Sequence, residues 1–334
     1  QFCEWHQASA LFADCLSVGL RSDCPQGSIW AVLSATMPVG PASPGLPPSH
    51  RIARRFASAG LRGASWYWRL ARLAWPDPEP GVVVLPDGTP IVHDPDDWTC
   101  RGSYEGTYER EILRLLPNLV LHGDVVVDVG ANVGILTARL SRLVGPTGLV
   151  IAVEPSPRCV DDLRWVLEGM SNVTLVQAAL GATKGTVSFT GWDNPDHRGL
   201  GTAVPGHRAG LEENWHDGAT IEVPQRRLDE VLAEFVDDGE IGLLKVDVEG
   251  YEADVLNGAP DLFRSGRVRA AIMEVTPGLD ADWVGDLISD SIGYRAFAIC
   301  ERGQILRRTD LQPVGASEAV SRSEQWNLLL QRDV

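Results

Sequence analysis

Apolar and polar residues recur with two different periods along the second part of the chain, and the two patterns alternate. Short apolar runs bounded by turn residues predict strands near 125–129, 149–153, 173–177, 241–247, 269–275, 293–299 and 326–331. Apolar residues spaced three and four apart predict helices near 133–143, 157–169, 227–236, 251–264 and 280–290. This alternation is typical of a doubly wound α/β sheet.

The first part of the chain has a different pattern. Residues 1–50 lack periodicity and end in a Pro/Gly/Ser-rich stretch, which predicts a mobile leader and linker. Arginines interleave with apolar residues over Arg51–Trp75, a pattern that predicts an amphipathic helix. A hairpin is expected over Gly81–Asp94 and a helix over Thr107–Leu116. We therefore divide the chain into a leader (1–50), a helix and hairpin extension (51–120) and a main domain (121–334).

One insertion interrupts the alternation. Thr186–Thr190 and Thr220–Val223 predict an extra antiparallel pair of strands. Between them lies a long polar loop, 191–218, with several tryptophans and histidines. Loops of this length in a compact domain are usually functional lids or disordered. We interpret this loop as a lid over an acceptor substrate.

Composition limits the partners that we expect. The net charge of -16 disfavours nucleic acid or an anionic membrane as the partner. The six cysteines show neither zinc-ligand spacing nor a disulfide framework. No apolar run approaches the ~20 residues of a membrane span, so we expect a cytoplasmic protein. The arginine-rich helix is then interpreted as a cap or a homodimer contact rather than a membrane anchor.

The clearest candidate site follows the strand at 125–129. The strand carries Asp128 and runs into a glycine turn, Gly130–Gly134, where the backbone can approach a ligand closely. The next strand ends in Glu154, about 20 residues beyond the turn, where a carboxylate can accept hydrogen bonds from ribose hydroxyls. This combination indicates an adenosine-containing cofactor.

The glycine spacing indicates which cofactor. A dinucleotide site uses G-x-G-x-x-G, whereas this turn has glycines only at its two ends, and no phosphate-binding G-x-x-x-x-G-K-[ST] motif occurs. Asp128 would repel a pyrophosphate but attract the cationic groups of S-adenosylmethionine. We therefore predict S-adenosylmethionine as the cofactor.

A second group of charges follows the strand at 241–247. Lys245 and Asp247 share one face of the strand, and Glu249, two residues further on, lies on the same face if the strand continues. Glu274 ends the next predicted strand at the same edge of the sheet. Charges at the end of an apolar strand are costly without a role, although a buried salt bridge of Lys245 would also account for them.

As an ordered set, these motifs resemble the FkbM family of methyltransferases. The resemblance covers about Thr107–Glu274 and includes Tyr108-Glu109, Asp124–Gly134, Glu154-Pro155, Gln177–Gly181 and Leu244–Glu252. It implies the class I methyltransferase (Rossmann-like) fold, with a seven-stranded sheet, and methyl transfer from S-adenosylmethionine to a hydroxyl of a sugar or natural-product acceptor. It also implies a set of cofactor-binding residues, namely Glu109, Asp128, Gly130, Ala131, Asn132, Gly134, Glu154, Pro155, Gln177, Ala178 and Ala179.

Methyl transfer to a hydroxyl needs an acceptor that is oriented toward the methyl group and then a base that removes the proton of the hydroxyl. We predict Asp247 and Glu249 as base or acceptor anchor, with Lys245 orienting a carboxylate or lowering the pKa of the acceptor hydroxyl. Glu274, His197 and His216 are predicted as acceptor-binding residues. The same carboxylates could instead hold Mg²⁺. Two alternative functions remain, a nicotinamide-dependent dehydrogenase and a non-catalytic scaffold with the same fold.

Overall fold

A computed structural model describes residues 45–333, apart from 192, 194–198, 200, 205–218, 277–281, 291–292 and 303–306. Most of the predicted leader and of the predicted lid lies outside the described residues, and so do His197 and His216.

The main sheet contains eight strands, in the order β12-β11-β13-β10-β9-β3-β4-β5. Strands β10, β9, β3, β4 and β5 are mutually parallel, whereas β13, β11 and β12 pair antiparallel at one end. The strands are β3 (Val125–Val129), β4 (Leu149–Val153), β5 (Val173–Val176), β9 (Ile241–Val246), β10 (Val268–Val275), β11 (Tyr294–Arg302), β12 (Arg308–Pro313) and β13 (Trp326–Arg332). All seven predicted strands are confirmed. The predicted number is one too low, because β12 is a polar edge strand without an apolar run.

Helices cover both faces of this sheet. Two predicted helix bounds are wrong at the C-terminal end: the helix predicted at 157–169 ends at Val166, and the one predicted at 251–264 ends at Asn257, just before Gly258 and Pro260. The helices are α1 (Pro48–Ser58), α2 (Ala64–Ala74), α3 (Trp98–Glu105), α4 (Arg110–Leu119), α5 (Ile135–Val144), α6 (Pro157–Val166), α7 (Leu228–Phe235), α8 (Glu252–Asn257), α9 (Asp282–Asp290) and α10 (Ala316–Ser321).

The single helix predicted over Arg51–Trp75 is wrong. The chain forms α1 and α2 instead, and they are separated by Gly60 and Gly63, which have φ values of 78° and 83°. Non-glycine residues rarely adopt this left-handed conformation, so the two glycines allow the chain to turn. Trp68 of α2 is fully buried, in the same hydrophobic cluster as Val126 of β3. The extension therefore shares its core with the main sheet.

The predicted hairpin is confirmed as β1 (Gly81–Val84) and β2 (Pro90–His93). The extra antiparallel pair is also confirmed, but it lies in a small separate sheet of order β6-β8-β7 rather than in the main sheet. That sheet contains β6 (Ala179–Leu180), β7 (Gly185–Phe189) and β8 (Ile221–Arg226). Among the described residues, no helix is long and apolar enough to cross a membrane.

The strand order locates the natural ligand crevice. From β3 the chain continues to β4 on one side, whereas β9 occupies the other side, so the order reverses between β3 and β9. Ligands of open α/β sheets bind outside the carboxyl ends of the strands at such a switch point. The turns after β3, β4 and β9 border this crevice.

Candidate active site

The turns after β3 and β9 are in direct backbone contact. Asp247 N donates to Val129 O at 3.1 Å, and a Cβ atom on Gly130 would lie 1.8 Å from Asp247 O. Gly130 also has a φ of 76°. Both observations require glycine here, because a side chain would separate the two turns. The first glycine of the predicted cofactor turn thus brings the Asp128 strand and the Asp247 strand together at one point.

Glu154 holds the shape of the glycine turn. Its Oε2 accepts a hydrogen bond from Asn132 N at 2.8 Å, and its Oε1 accepts one from Ser156 N at 2.8 Å. Asn132 itself has a φ of 52°, which asparagine tolerates better than most residues. Because each carboxylate oxygen can accept more than one hydrogen bond, Glu154 retains acceptor capacity toward the crevice.

Beneath the turn lies a buried charge network. Lys245 Nζ donates to Gly130 O at 2.9 Å and lies 3.7 Å from Asp128 Oδ1 and 3.3 Å from Asp247 Oδ2. Asp128 is fully buried, and its Oδ2 accepts a hydrogen bond from Thr137 Oγ1 at 2.6 Å. Burial alone would lower the pKa of Lys245, but the surrounding carboxylates raise it above its usual value. The ammonium is therefore a fixed positive charge under the crevice.

Two carboxyls of this region have pKa values near neutrality. Burial raises the pKa of Glu109 to about 8, although Lys245 opposes the shift. Burial also raises the pKa of Glu154 to about 7, although the amides of Ser156 and Asn132 oppose it. Glu109 has a φ of 43°, and its Oε2 is buried without a hydrogen-bond partner among the described residues. Perturbed carboxyls of this kind are common at functional sites.

A second group of carboxylates extends from Asp247 away from the glycine turn. Asp247, Glu252 and Glu274 each place an oxygen within 4.8 Å of the others. Glu252 is buried, and its Oε1 accepts from Val248 N at 3.0 Å and Gly250 N at 3.2 Å. Glu252 therefore shapes the turn after β9. Oxygen ligands in this arrangement are compatible with a divalent cation, so the Mg²⁺ alternative stays open.

Two adjoining pockets open at this edge, with volumes of about 50 and 20 Å³. Six of the predicted cofactor-binding residues line them, namely Gly130, Asn132, Glu154, Pro155, Ala178 and Ala179. Of the predicted catalytic residues, Asp247 and Glu249 line the first pocket. The structure thus brings the two clusters found in the sequence to one cleft.

The remaining predicted residues lie elsewhere. Asp128 and Lys245 lie beneath the cleft, and Glu109 lies at the start of α4 within their electrostatic field. Ala131 packs into the core, and a Cβ on Gly134 would lie 2.7 Å from Leu163 Cδ2, so both serve packing of the turn. Two further side chains do not line either pocket: Gln177, which is exposed and accepts from Arg164 at 3.3 Å, and Glu274.

Several residues of the cleft were not predicted as site residues. They are Tyr108, Ser156, Cys159, Phe189, Gly199, Gly201 and Val248. Tyr108 stands directly before Glu109 in the Tyr108-Glu109 motif, so the sequence contains a signal for it. Gly199 and Gly201 belong to the predicted lid, and Thr202 Oγ1 donates to Glu249 O at 2.8 Å. The described part of that insertion therefore borders the same cleft.

Comparison with known proteins gives a family match. The model of the Methyltransferase FkbM domain matches residues 128–303. The chain is 32% identical over 159 residues to the methyltransferase sdnD of Sordaria araneosa, an alignment that covers 41% of this chain and 60% of sdnD. It is 28% identical over 187 residues to the hexuronic acid methyltransferase AglP of Haloferax volcanii, covering 55% of this chain and 69% of AglP. The chain thus spans about 60% of the length of sdnD.

Among solved structures, the methyltransferase FkbM of Methylobacillus flagellatus superposes with a TM-score of 0.38 at 13% identity, covering 84% of this chain and 58% of that one. Fibrillarin of Aeropyrum pernix, solved with bound S-adenosyl-L-methionine, gives a TM-score of 0.37 at 14% identity, covering 75% of this chain and 92% of fibrillarin. The class I assignment rests on the family match and on the strand order described above.

Proposed function

The chain belongs to the FkbM methyltransferase family, and from this premise we propose that it transfers a methyl group from S-adenosylmethionine to a hydroxyl of a small-molecule acceptor. One observation carries the proposal. The glycine turn after β3, the carboxylate that ends β4 and the carboxylates after β9 all line one cleft at the switch point of the sheet. A cofactor site and a set of candidate bases therefore lie side by side.

The residues present fit the cofactor. Gly130 leaves a backbone surface without a side chain, and Glu154 offers carboxylate oxygens to the ribose hydroxyls. Asp128 Oδ1 has no hydrogen-bond partner among the described residues, and Lys245 lies 3.7 Å from it, so Asp128 supports the cleft from beneath and does not line it. Ala178 and Ala179 form an apolar wall suited to an adenine ring. When bound, S-adenosylmethionine supplies an electrophilic methyl group on a cationic sulfur.

The protein's own contribution to the reaction comes from the carboxylates of the cleft. Asp247 accepts or orients the proton of the acceptor hydroxyl, with Glu249 as second anchor. Lys245 contacts Asp247 at 3.3 Å from below and holds that carboxylate in place. Because Lys245 is itself buried, it acts on the acceptor through Asp247 and not by direct contact.

The acceptor class is supported by chemistry and by one relative. A carboxylate base suits a hydroxyl, whose proton must leave as the oxygen attacks. The relative AglP is described as a hexuronic acid methyltransferase, which is consistent with a sugar-like acceptor. We therefore propose O-methylation of a polyhydroxylated small molecule, a sugar or a natural-product scaffold.

The test is methyl transfer from isotopically labelled S-adenosylmethionine to a panel of sugars, uronic acids and hydroxylated natural products, read by mass spectrometry. We expect label in at least one acceptor and none in the panel incubated without protein. Asp247→Asn should abolish most of this label, whereas Asp238→Asn, an exposed control, should not. Binding of a reduced nicotinamide cofactor in place of S-adenosylmethionine would favour the dehydrogenase alternative. Cofactor binding without transfer to any acceptor would favour the scaffold.

A measurement in the presence of a chelator distinguishes carboxylates that act as a base from carboxylates that bind a metal ion. If Asp247 acts as a base, transfer should persist in EDTA. If Asp247, Glu252 and Glu274 hold a cation, EDTA should abolish transfer and Mg²⁺ should restore it.

A further inference from the structure

A second cavity, which shares no lining residue with the cleft, lies between α1, the β1–β2 turn, α4 and α5. Its volume is about 450 Å³, which is larger than either pocket of the cleft and within the usual ~300–1,000 Å³ of small-molecule sites. Six arginines line this arginine cavity, namely Arg51, Arg54, Arg55, Arg110, Arg114 and Arg139. None of them belongs to the proposed methyl-transfer site.

Two carboxylates form ion pairs with these arginines. Asp87 pairs with Arg139, and Glu301 pairs with Arg110 and more weakly with Arg114, at 3.6 Å. Within the described part of the chain, no carboxylate pairs with the three arginines of α1. Six guanidinium groups against two carboxylates leave an excess of four positive charges in a chain whose net charge is -16. Positive charge is therefore concentrated at one concave place on an acidic protein.

The backbone of α3 holds Arg54 at the wall of this cavity. The NH1 group of Arg54 donates to Ser103 O and to Tyr104 O, the latter at 2.5 Å, which fixes the guanidinium at the cavity wall. Burial and the charge of Arg139 lower the pKa of Arg54 to about 10. Arg54 is partly buried, is repelled by Arg139 and has no carboxylate partner among the described residues, so an anion in the cavity would offset this repulsion.

The rest of the wall indicates what the anion is attached to. Leu85, Pro86, Leu113 and Ile135 provide an apolar surface beside the guanidinium groups. Arginine recognises phosphate through paired hydrogen bonds, and several arginines can share its oxygens. We propose that the arginine cavity binds a phosphate monoester whose organic part is apolar, at a site separate from the methyl-transfer cleft.

The test uses n-hexyl phosphate as the probe, titrated into the full chain by calorimetry at low salt. We expect saturable binding with one molecule per chain, weaker binding of inorganic phosphate and no binding of hexanol. Arg54→Gln should weaken the affinity for hexyl phosphate at least tenfold. Arg69→Gln, which removes an exposed arginine of α2 outside the cavity, should leave it unchanged. Raising the salt concentration should weaken binding.

A second variant protects the test against misfolding, because Arg54 also holds α3. Arg55→Gln removes an exposed guanidinium that makes no hydrogen bond or ion pair with the described residues, and it should weaken binding in the same direction. The affinity for S-adenosylmethionine should be equal in all variants. Failure of the phosphate-site proposal can therefore be distinguished from failure of the proposed methyl transfer. The proposal would be overturned if hexyl phosphate showed no saturable binding, or if Arg69→Gln lost as much affinity for it as Arg54→Gln. Sedimentation with phosphatidylglycerol vesicles without binding of hexyl phosphate would overturn it in favour of a lipid surface.

Discussion

Replacement of Lys245 by Met tests the buried charge network beneath the cleft. Lys245 Nζ lies 3.7 Å from Asp128 Oδ1 and 3.3 Å from Asp247 Oδ2. At an effective dielectric constant of about 20, unit charges at these separations attract by roughly 4–5 kcal/mol. The variant leaves Asp128 fully buried without a counter-charge, and uncompensated buried charges typically cost about 3–5 kcal/mol. We expect a loss of that size in the free energy of unfolding.

The assay is urea unfolding at neutral pH, followed by circular dichroism. The chain offers a matched control, because Lys184 is its only other lysine and is exposed. Lys184→Met should change stability by less than about 0.5 kcal/mol. The double variant Lys245→Met with Asp128→Asn should be more stable than the sum of the two single effects predicts, because no unpaired charge remains at position 128.

The pH dependence of the same variant gives an independent check. Burial already raises the pKa of Asp128. Without Lys245 that pKa should rise further, so the deficit should shrink as the pH falls and Asp128 takes up a proton. A Lys245→Met protein that is as stable as the parent at neutral pH, or a strictly additive double variant, would refute the assignment of Lys245 as the counter-charge of Asp128.

Three further predictions follow from the cleft. Gly130→Ala should lower the free energy of unfolding by more than about 1 kcal/mol beyond the loss in Gly169→Ala, because both glycines have a positive φ but only Gly130 lies against Asp247 O. Equal losses of stability in the two variants would contradict this close contact. Asp247→Asn and Glu249→Gln should bind the cofactor as tightly as the parent, while turnover falls ~10²-fold. Variants that are less stable but have normal turnover per folded molecule would contradict a catalytic role. Stability should fall as the pH rises from about 4.5 to 8, since Glu109 binds its proton more tightly when folded, and Glu109→Gln should flatten this slope in thermal melts.

The parts of the site that the sequence predicted are those governed by local pattern. Apolar runs place Asp128, Glu154 and Asp247 at strand ends, and parallel strands bring their carboxyl ends to one edge. The parts that it did not predict depend on tertiary contacts. Thr137, in the first turn of α5, donates a hydrogen bond to Asp128, and Glu252 accepts one from Val248 N in the turn after β9. Neither contact follows from spacing alone.

The errors in the fold have similar causes. β12 was missed because an edge strand with solvent on one side needs no apolar run. The sequence predicts one helix over Arg51–Trp75 instead of two because its apolar periodicity continues across Gly60 and Gly63. Those glycines are nevertheless a signal for a break in the helix. The three arginines of α1 lie along one helix, but the cavity that they line also requires the β1–β2 turn, α4 and α5. A concave surface formed by four separate elements is invisible to a pattern along one helix.

The most direct test of the central claim is the affinity of S-adenosylmethionine, measured by calorimetry on the parent chain and on Glu154→Ala. We expect saturable binding by the parent. In the variant we expect the binding free energy to weaken by roughly 1.5–3 kcal/mol, because the carboxylate supplies charge-assisted hydrogen bonds to the ribose. Asp161→Ala, an exposed acid of α6, should bind like the parent. A parent that does not bind S-adenosylmethionine, or a Glu154→Ala variant with undiminished affinity, would contradict the account.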